Sequence, residues 1–73
     1  MTIETFIQNF ADQLDVTSVE DLKPETIFRE LDDWSSLTAL SIIAMVDEEY
    51  GVSIGSEAFK SSKTIQDLFN QIN

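Results

Sequence analysis

Ser36-Leu37-Thr38-Ala39-Leu40-Ser41-Ile42-Ile43-Ala44-Met45-Val46-Asp47-Glu48-Glu49-Tyr50-Gly51 is the stretch on which the fold turns. Its apolar residues recur at three- and four-residue steps: Leu37, Leu40, Ile43 (or Ile42), Met45, Val46 and Tyr50. That spacing predicts a helix with a wide apolar face. Gly51 then stands where a glycine closes a helix. About 15 residues at 1.5 Å each give a rod of roughly 22 Å, long enough to be the main strut of a small domain.

Three acids, Asp47, Glu48 and Glu49, occupy the last turns of this rod. A helix C-terminus carries partial negative charge and favours Lys or Arg, so the acids are badly placed for local stability. A local rule broken without a local gain marks a functional feature. The alternative is an outer face that is simply solvated by charge.

Working outward, Ile3, Phe6, Ile7, Phe10 and Leu14 predict a first helix over about residues 3–14, capped by Thr2, with Glu4 at its positive end. Between Asp15 and Asp33 no period is sustained, and Pro24 forbids a helix interior. Yet Val16, Val19, Leu22, Ile27, Phe28 and Leu31 are apolar, so this long loop is expected to lie across the bundle. After Gly51, residues Gly55 to Phe59 predict one short helical turn capped by Ser56, and Ser61-Ser62-Lys63 a linker. Thr64 opens a last helix with Ile65, Leu68, Phe69 and Ile72 on one face, and Asp67 completes an approximate capping box. The expected fold is all-α: a single domain over residues 1–73, a four-helix bundle of three longer helices and one short, with a long loop between the first two.

The chain has 73 residues, no Cys and no His, so disulfides, thiolate metal sites and Ser–His or Cys–His pairs are excluded. Neither Asp32-Asp33 nor Asp47-Glu48-Glu49 has the spacing of a calcium loop. Paired carboxylates need a buried cleft for acid–base work, and a chain this short has little room for one. An enzyme is therefore not expected. The net charge is −10, from 14 acidic and 4 basic side chains. Nucleic acid and anionic membranes are repelled by such a surface, and a basic protein is attracted. No apolar run reaches the roughly 20 residues of a membrane span. The expectation is a cytoplasmic monomer without stable membrane insertion.

One feature carries chemistry. Asp33-Trp34-Ser35-Ser36-Leu37 lies where the long loop meets the strongest helix. Serines at a helix start usually cap it. The same place suits a tethered phosphate, because free N–H groups and the positive helix end favour an anion.

The whole chain resembles the acyl carrier proteins. Their second helix starts with Asp-Ser-Leu, whose serine is esterified with 4′-phosphopantetheine from coenzyme A. The matching triplet here is Ser35-Ser36-Leu37, which places the attachment on Ser36. Residues 37–54 resemble the family's second helix, its acidic end and the following loop. Thr26 to Leu31 resemble the approach to the motif, and Thr64 to Phe69 the last helix. The resemblance implies a non-catalytic carrier of acyl thioesters for fatty acid, polyketide or related biosynthesis. It implies a phosphopantetheinyl transferase as a partner, with acyl-loading and acyl-using enzymes whose basic surfaces meet Asp47, Glu48 and Glu49. It also implies an interior able to shelter an acyl chain, with Ile43, Met45 and Phe59 as lining.

Two positions depart from the pattern. Ser35 replaces the usual Asp, and Trp34 replaces a small residue. A Trp here resembles discrete carriers of specialised pathways, or it is an anchor closing the loop on the bundle. Peptidyl carriers usually have Gly-Gly near the serine, where this chain has Asp32-Asp33-Trp34. The alternative function is an acidic helical module, never modified or degenerate, that binds a basic partner.

Overall fold

A computed structural model describes residues 2–15 and 17–72. Four α-helices run in order: α1 (Ile3–Ala11), α2 (Ser36–Tyr50), α3 (Ser56–Lys60) and α4 (Ile65–Ile72). Two short 3₁₀ turns, Val19–Asp21 and Phe28–Glu30, interrupt the loop between α1 and α2. Among the described residues there is no β-strand, so the expected all-α bundle is what forms.

The first helix starts as its sequence dictates. Thr2 is extended, and its hydroxyl accepts from the Thr5 N–H. Phe6, Ile7 and Phe10 are its buried residues. It ends three residues before the predicted Leu14. The Gln13 and Leu14 N–H groups donate to Phe10 and Ala11, in a tighter turn that bends the chain away.

The α1–α2 loop is built, not slack. Lys23-Pro24-Glu25-Thr26 is a turn closed by Thr26 N–H to the Lys23 carbonyl, with Pro24 at the position whose fixed φ suits it. The loop then meets the start of α4. Ile65 and Gln66 N–H donate to the Thr26 and Pro24 carbonyls at 3.1 and 2.8 Å, supplying acceptors that a helix start lacks. Leu22 and Phe28 are buried, and Ile27 and Leu31 are half-buried, as expected of a loop laid across a bundle. Val19 is the exception: it is 40% exposed, on a 3₁₀ turn whose three residues all face outward. Val16 lies outside the described residues.

The second helix has the predicted length and stop, with Gly51 at φ 65°. Its buried face matches the predicted one at Ile42, Met45 and Val46 and departs from it in the first turns. Thr38, Ile42, Met45 and Val46 face inward, whereas Leu37 and Leu40 are 75% and 60% exposed. Apolar residues surround much of this helix, so periodicity alone does not choose the inner side. On the inward side Ile42, Met45 and Val46 join the core, and the Thr38 hydroxyl meets the loop at the Asp33 carbonyl.

Ser56 is the first residue of α3 and not its cap; Gly55 takes that place without a side-chain bond. In α4 the capping box forms with Asp: Asp67 N–H donates to Thr64 Oγ1 at 3.1 Å, and Thr64 N–H returns to Asp67 Oδ2 at 3.2 Å. Within the predicted linker, Ser62 is buried, and Gln71 Nε2 donates to its hydroxyl at 2.6 Å.

All seven aromatic residues (five Phe, one Trp, one Tyr) join one connected network. Phe6 touches Phe10, Tyr50 and Phe69, while Trp34 touches Phe10, Phe28 and Phe59. Such pairs each add about 0.5–1.5 kcal/mol beyond their buried area, a substantial aid to a chain too small for a deep core.

Candidate functional site

The junction of loop and α2 is held by a small polar lattice. Ser35 is extended, with φ −159° and ψ 174°, and is the N-cap of α2. Its Oγ accepts from the Thr38 N–H at 3.3 Å. Its carbonyl accepts the first helical bond, from Ala39 N–H, at 3.0 Å. Thr38 in turn donates its hydroxyl back to the Asp33 carbonyl at 2.6 Å. The Asp33 carboxylate accepts from the Thr17 N–H at 2.6 Å and so ties down the far end of the loop.

This lattice leaves Ser36 at the first helical position, with its side chain exposed. In the first turn of a helix the N–H groups have no intrahelical carbonyl, and the macrodipole is positive. A phosphate on the Ser36 hydroxyl is favoured by both. Leu37 beside it is also exposed. Beneath the junction Trp34 is half-buried, nearly parallel to Phe10 at 6.2 Å and 8°. It lies 4.8 Å from Phe28 and 5.6 Å from Phe59 between ring centroids. Of the two readings of Trp34, the anchor is therefore realised. Arg29, exposed on the neighbouring 3₁₀ turn, donates from Nη2 to the Phe59 carbonyl and sits 5.2 Å over the Phe28 ring. It clasps α3 to the loop.

The other predicted residues are placed as follows. Asp47, Glu48 and Glu49 are all exposed, and the last turn of α2 has no basic residue. Met45 and Phe59 are buried in the core, and Ile43 is partly buried against it. A surface cleft of about 390 Å³ opens elsewhere, between the α2–α3 connection and α4. Val52, Ile54, Ala58 and Gln71 are in its lining, but Ile43, Met45 and Phe59 are not. Among the described residues no acidic cluster is arranged to hold a metal ion, and no helix is long and apolar enough to cross a membrane.

Comparison with known proteins decides what kind of chain presents a serine in this way. The family model described as the phosphopantetheine attachment site matches residues 4–72. The acyl carrier protein of Thermosynechococcus vestitus (strain NIES-2133 / IAM M-273 / BP-1) is 40% identical over 63 residues, covering 86% of this chain and 76% of that relative. The chain belongs to the acyl carrier protein family. No solved structure gives a significant match.

An acyl carrier protein is a carrier and not a catalyst, and its covalent cofactor is 4′-phosphopantetheine. It works with transferases and acyl-handling enzymes. The residues at the start of α2 fit the arm chemically: an exposed primary hydroxyl at a positive helix end. Sequence reasoning missed the roles of Thr38, Asp33 and Arg29. The signal for Thr38 was a hydroxyl at the third helical position, a place from which it reaches back to the loop. For Arg29 the only signal was a basic residue beside Phe28 in a chain with four basic side chains.

Proposed function

We propose that this acyl carrier protein bears its arm on Ser36 and delivers acyl intermediates as thioesters to enzymes of fatty acid, polyketide or related biosynthesis. The observation that carries the reading is the position of Ser36: exposed, first in α2, and not used as the cap because Ser35 has that task. The Ser36 Oγ forms a bond to the phosphorus that bears the pantetheine as the P–O–P link of coenzyme A breaks, and adenosine 3′,5′-bisphosphate leaves. The hydroxyl proton passes to a base of the transferase. In the same reading the carrier acts as a cytoplasmic monomer. Asp47, Glu48 and Glu49 are its docking surface for enzymes with basic faces; their exposure and their unfavourable place on the helix dipole support this.

Intact mass after incubation with coenzyme A and a broad-specificity transferase tests the attachment. A gain of one phosphopantetheine is expected in the wild type and in Ser35→Ala, and none in Ser36→Ala. Modification of Ser35 overturns the assignment to Ser36, and none with several transferases favours the unmodified acidic module instead.

A further inference from the structure

Ser36 lies inside a ring closed by hydrogen bonds. Before it in the chain, the Asp33 carbonyl accepts from Thr38 Oγ1 at 2.6 Å, and Ser35 Oγ accepts from the Thr38 N–H at 3.3 Å. The ring is anchored at Asp33. Its carboxylate accepts from the Thr17 N–H at 2.6 Å, between residues 16 positions apart. A hydrogen bond to an ionised acceptor is about twice as strong as a neutral one. The segment closed in this way is itself fixed, because its Pro24 and Thr26 carbonyls accept from the Gln66 and Ile65 N–H groups at the start of α4. Asp33 therefore joins the fixed loop, through its side chain, to the first turn of α2, through its carbonyl. The exposed Ser36 hydroxyl has no hydrogen-bond partner of its own among the described residues. Its aim is set by the backbone that carries it.

We infer that Asp33 is a positioning residue for attachment of the arm: by holding Thr17 on one side and Thr38 on the other, it sets the direction in which the transferase meets the Ser36 hydroxyl. The inference rests on Ser36 as the attachment residue. Attack on phosphorus needs the oxygen in line, and a misplacement of about 1 Å costs on the order of a hundredfold in rate. Aim and docking are separate in this carrier. The acids of the docking surface begin at Asp47, roughly 16 Å along α2 from Ser36. Loss of the Asp33 anchor therefore leaves the carrier bound but badly aimed, which lowers kcat and spares KM. A variant that is merely less folded behaves in the opposite way. It dilutes the competent carrier, so the apparent KM rises while kcat at saturation is unchanged.

The test follows arm transfer from coenzyme A to the full chain by a broad-specificity transferase, over carrier concentrations that span KM, with each product confirmed by intact mass. Asp33→Ala should lower kcat about tenfold and leave KM within about twofold. Asp33→Asn keeps an oxygen of the same reach for the Thr17 N–H, and should recover kcat to within about threefold of the wild type. Melting curves establish that each variant is folded at the assay temperature. Asp33→Ser, which retains a polar atom on a shorter side chain, replaces the alanine variant if that one does not fold, and its kcat should lie between those expected for Ala and Asn. An unchanged kcat in the folded Ala or Ser variant overturns the inference. So does a rise in KM alone, which marks a residue that only docks the transferase or only stabilises the fold, and so does an Asn variant as slow as Ala. No gain of mass in the wild type, or a gain that survives Ser36→Ala, is a different result and refutes the attachment itself.

Discussion

Thr38 Oγ1 donates to the carbonyl of Asp33 across the start of α2, at 2.6 Å, while the Thr38 N–H is capped by Ser35. One residue thus binds the loop and the helix to each other directly beside Ser36. Thr38 is the polar residue on the buried face of α2. Thr38→Val keeps the shape and removes only the hydroxyl. Its loss should cost about 0.5–1.5 kcal/mol, and more if the Asp33 carbonyl is left unsatisfied. Chemical denaturation checks the stability. The rate of arm transfer should also fall, because the approach to Ser36 loses its brace. A variant as stable as the wild type would show that water replaces the hydroxyl without penalty.

Ser35 caps α2 with its Oγ on the Thr38 N–H. Ser and Asp rank alike at N-caps, so Ser35→Asp should change stability by less than about 1 kcal/mol, whereas Ser35→Ala should cost about 0.5–2 kcal/mol. Ser35→Asp should maintain or raise the rate of arm transfer. Melting curves and a timed transfer assay read the two effects separately. A marked loss of transfer in Ser35→Asp would mean that the cognate transferase reads the serine itself.

The bundle was legible in the sequence because its helices carry strong local signals. Thr2, Ser35, Gly51 and the Thr64–Asp67 box all do locally what their residue types favour. The inner face of α2 was not legible, since Leu37 and Leu40 match the helical period as well as Ile42 and Met45 do. Which side turns inward is set by packing against residues far along the chain, in which Ile42, Met45 and Val46 join the core with Phe6, Phe10 and Ile65. The same limit applies to the site. The assignment of Ser36 came from the likeness of Ser35-Ser36-Leu37 to the family's triplet, since serines at a helix start read locally as caps. The stack of Trp34 on Phe10 joins residues 24 positions apart, and no local pattern encodes it.

Asp67 supplies a pH-dependent element to α4. Its pKa is lowered below the ordinary aspartate value of 3.8, first by the Thr64 N–H that donates to it and then by the Lys63 N–H. A carboxyl with a depressed folded pKa stabilises the fold fully above its unfolded value, and loses that contribution as pH falls through the folded one. Asp67→Asn should therefore melt below the wild type at neutral pH, and the gap should close only below about pH 4. Paired melting curves from neutral pH to pH 3 give the measurement. A gap that is independent of pH would assign the effect to geometry and not to charge.

The exposed stripe of α2 changes character along its length. Leu37, Leu40 and Ala44 are apolar near Ser36, and Asp47, Glu48 and Glu49 are acidic at the far end. The acids sit where the helix dipole disfavours them, and the last turn has no basic residue. Local stability therefore does not account for them, whereas attraction of a basic partner does. Exposed charges at an interface act mostly on encounter rate and partner choice. Glu48→Lys should slow association with the transferase, most strongly at low salt, because screening shortens to about 10 Å at 0.1 M. The same change should leave the fold intact and raise its stability by about 0.3–1 kcal/mol through the dipole. Opposite signs in the two measurements, weaker binding with a higher melting temperature, are what separate a docking residue from a structural one. Binding that is unchanged and independent of salt would reduce the three acids to a solvated surface.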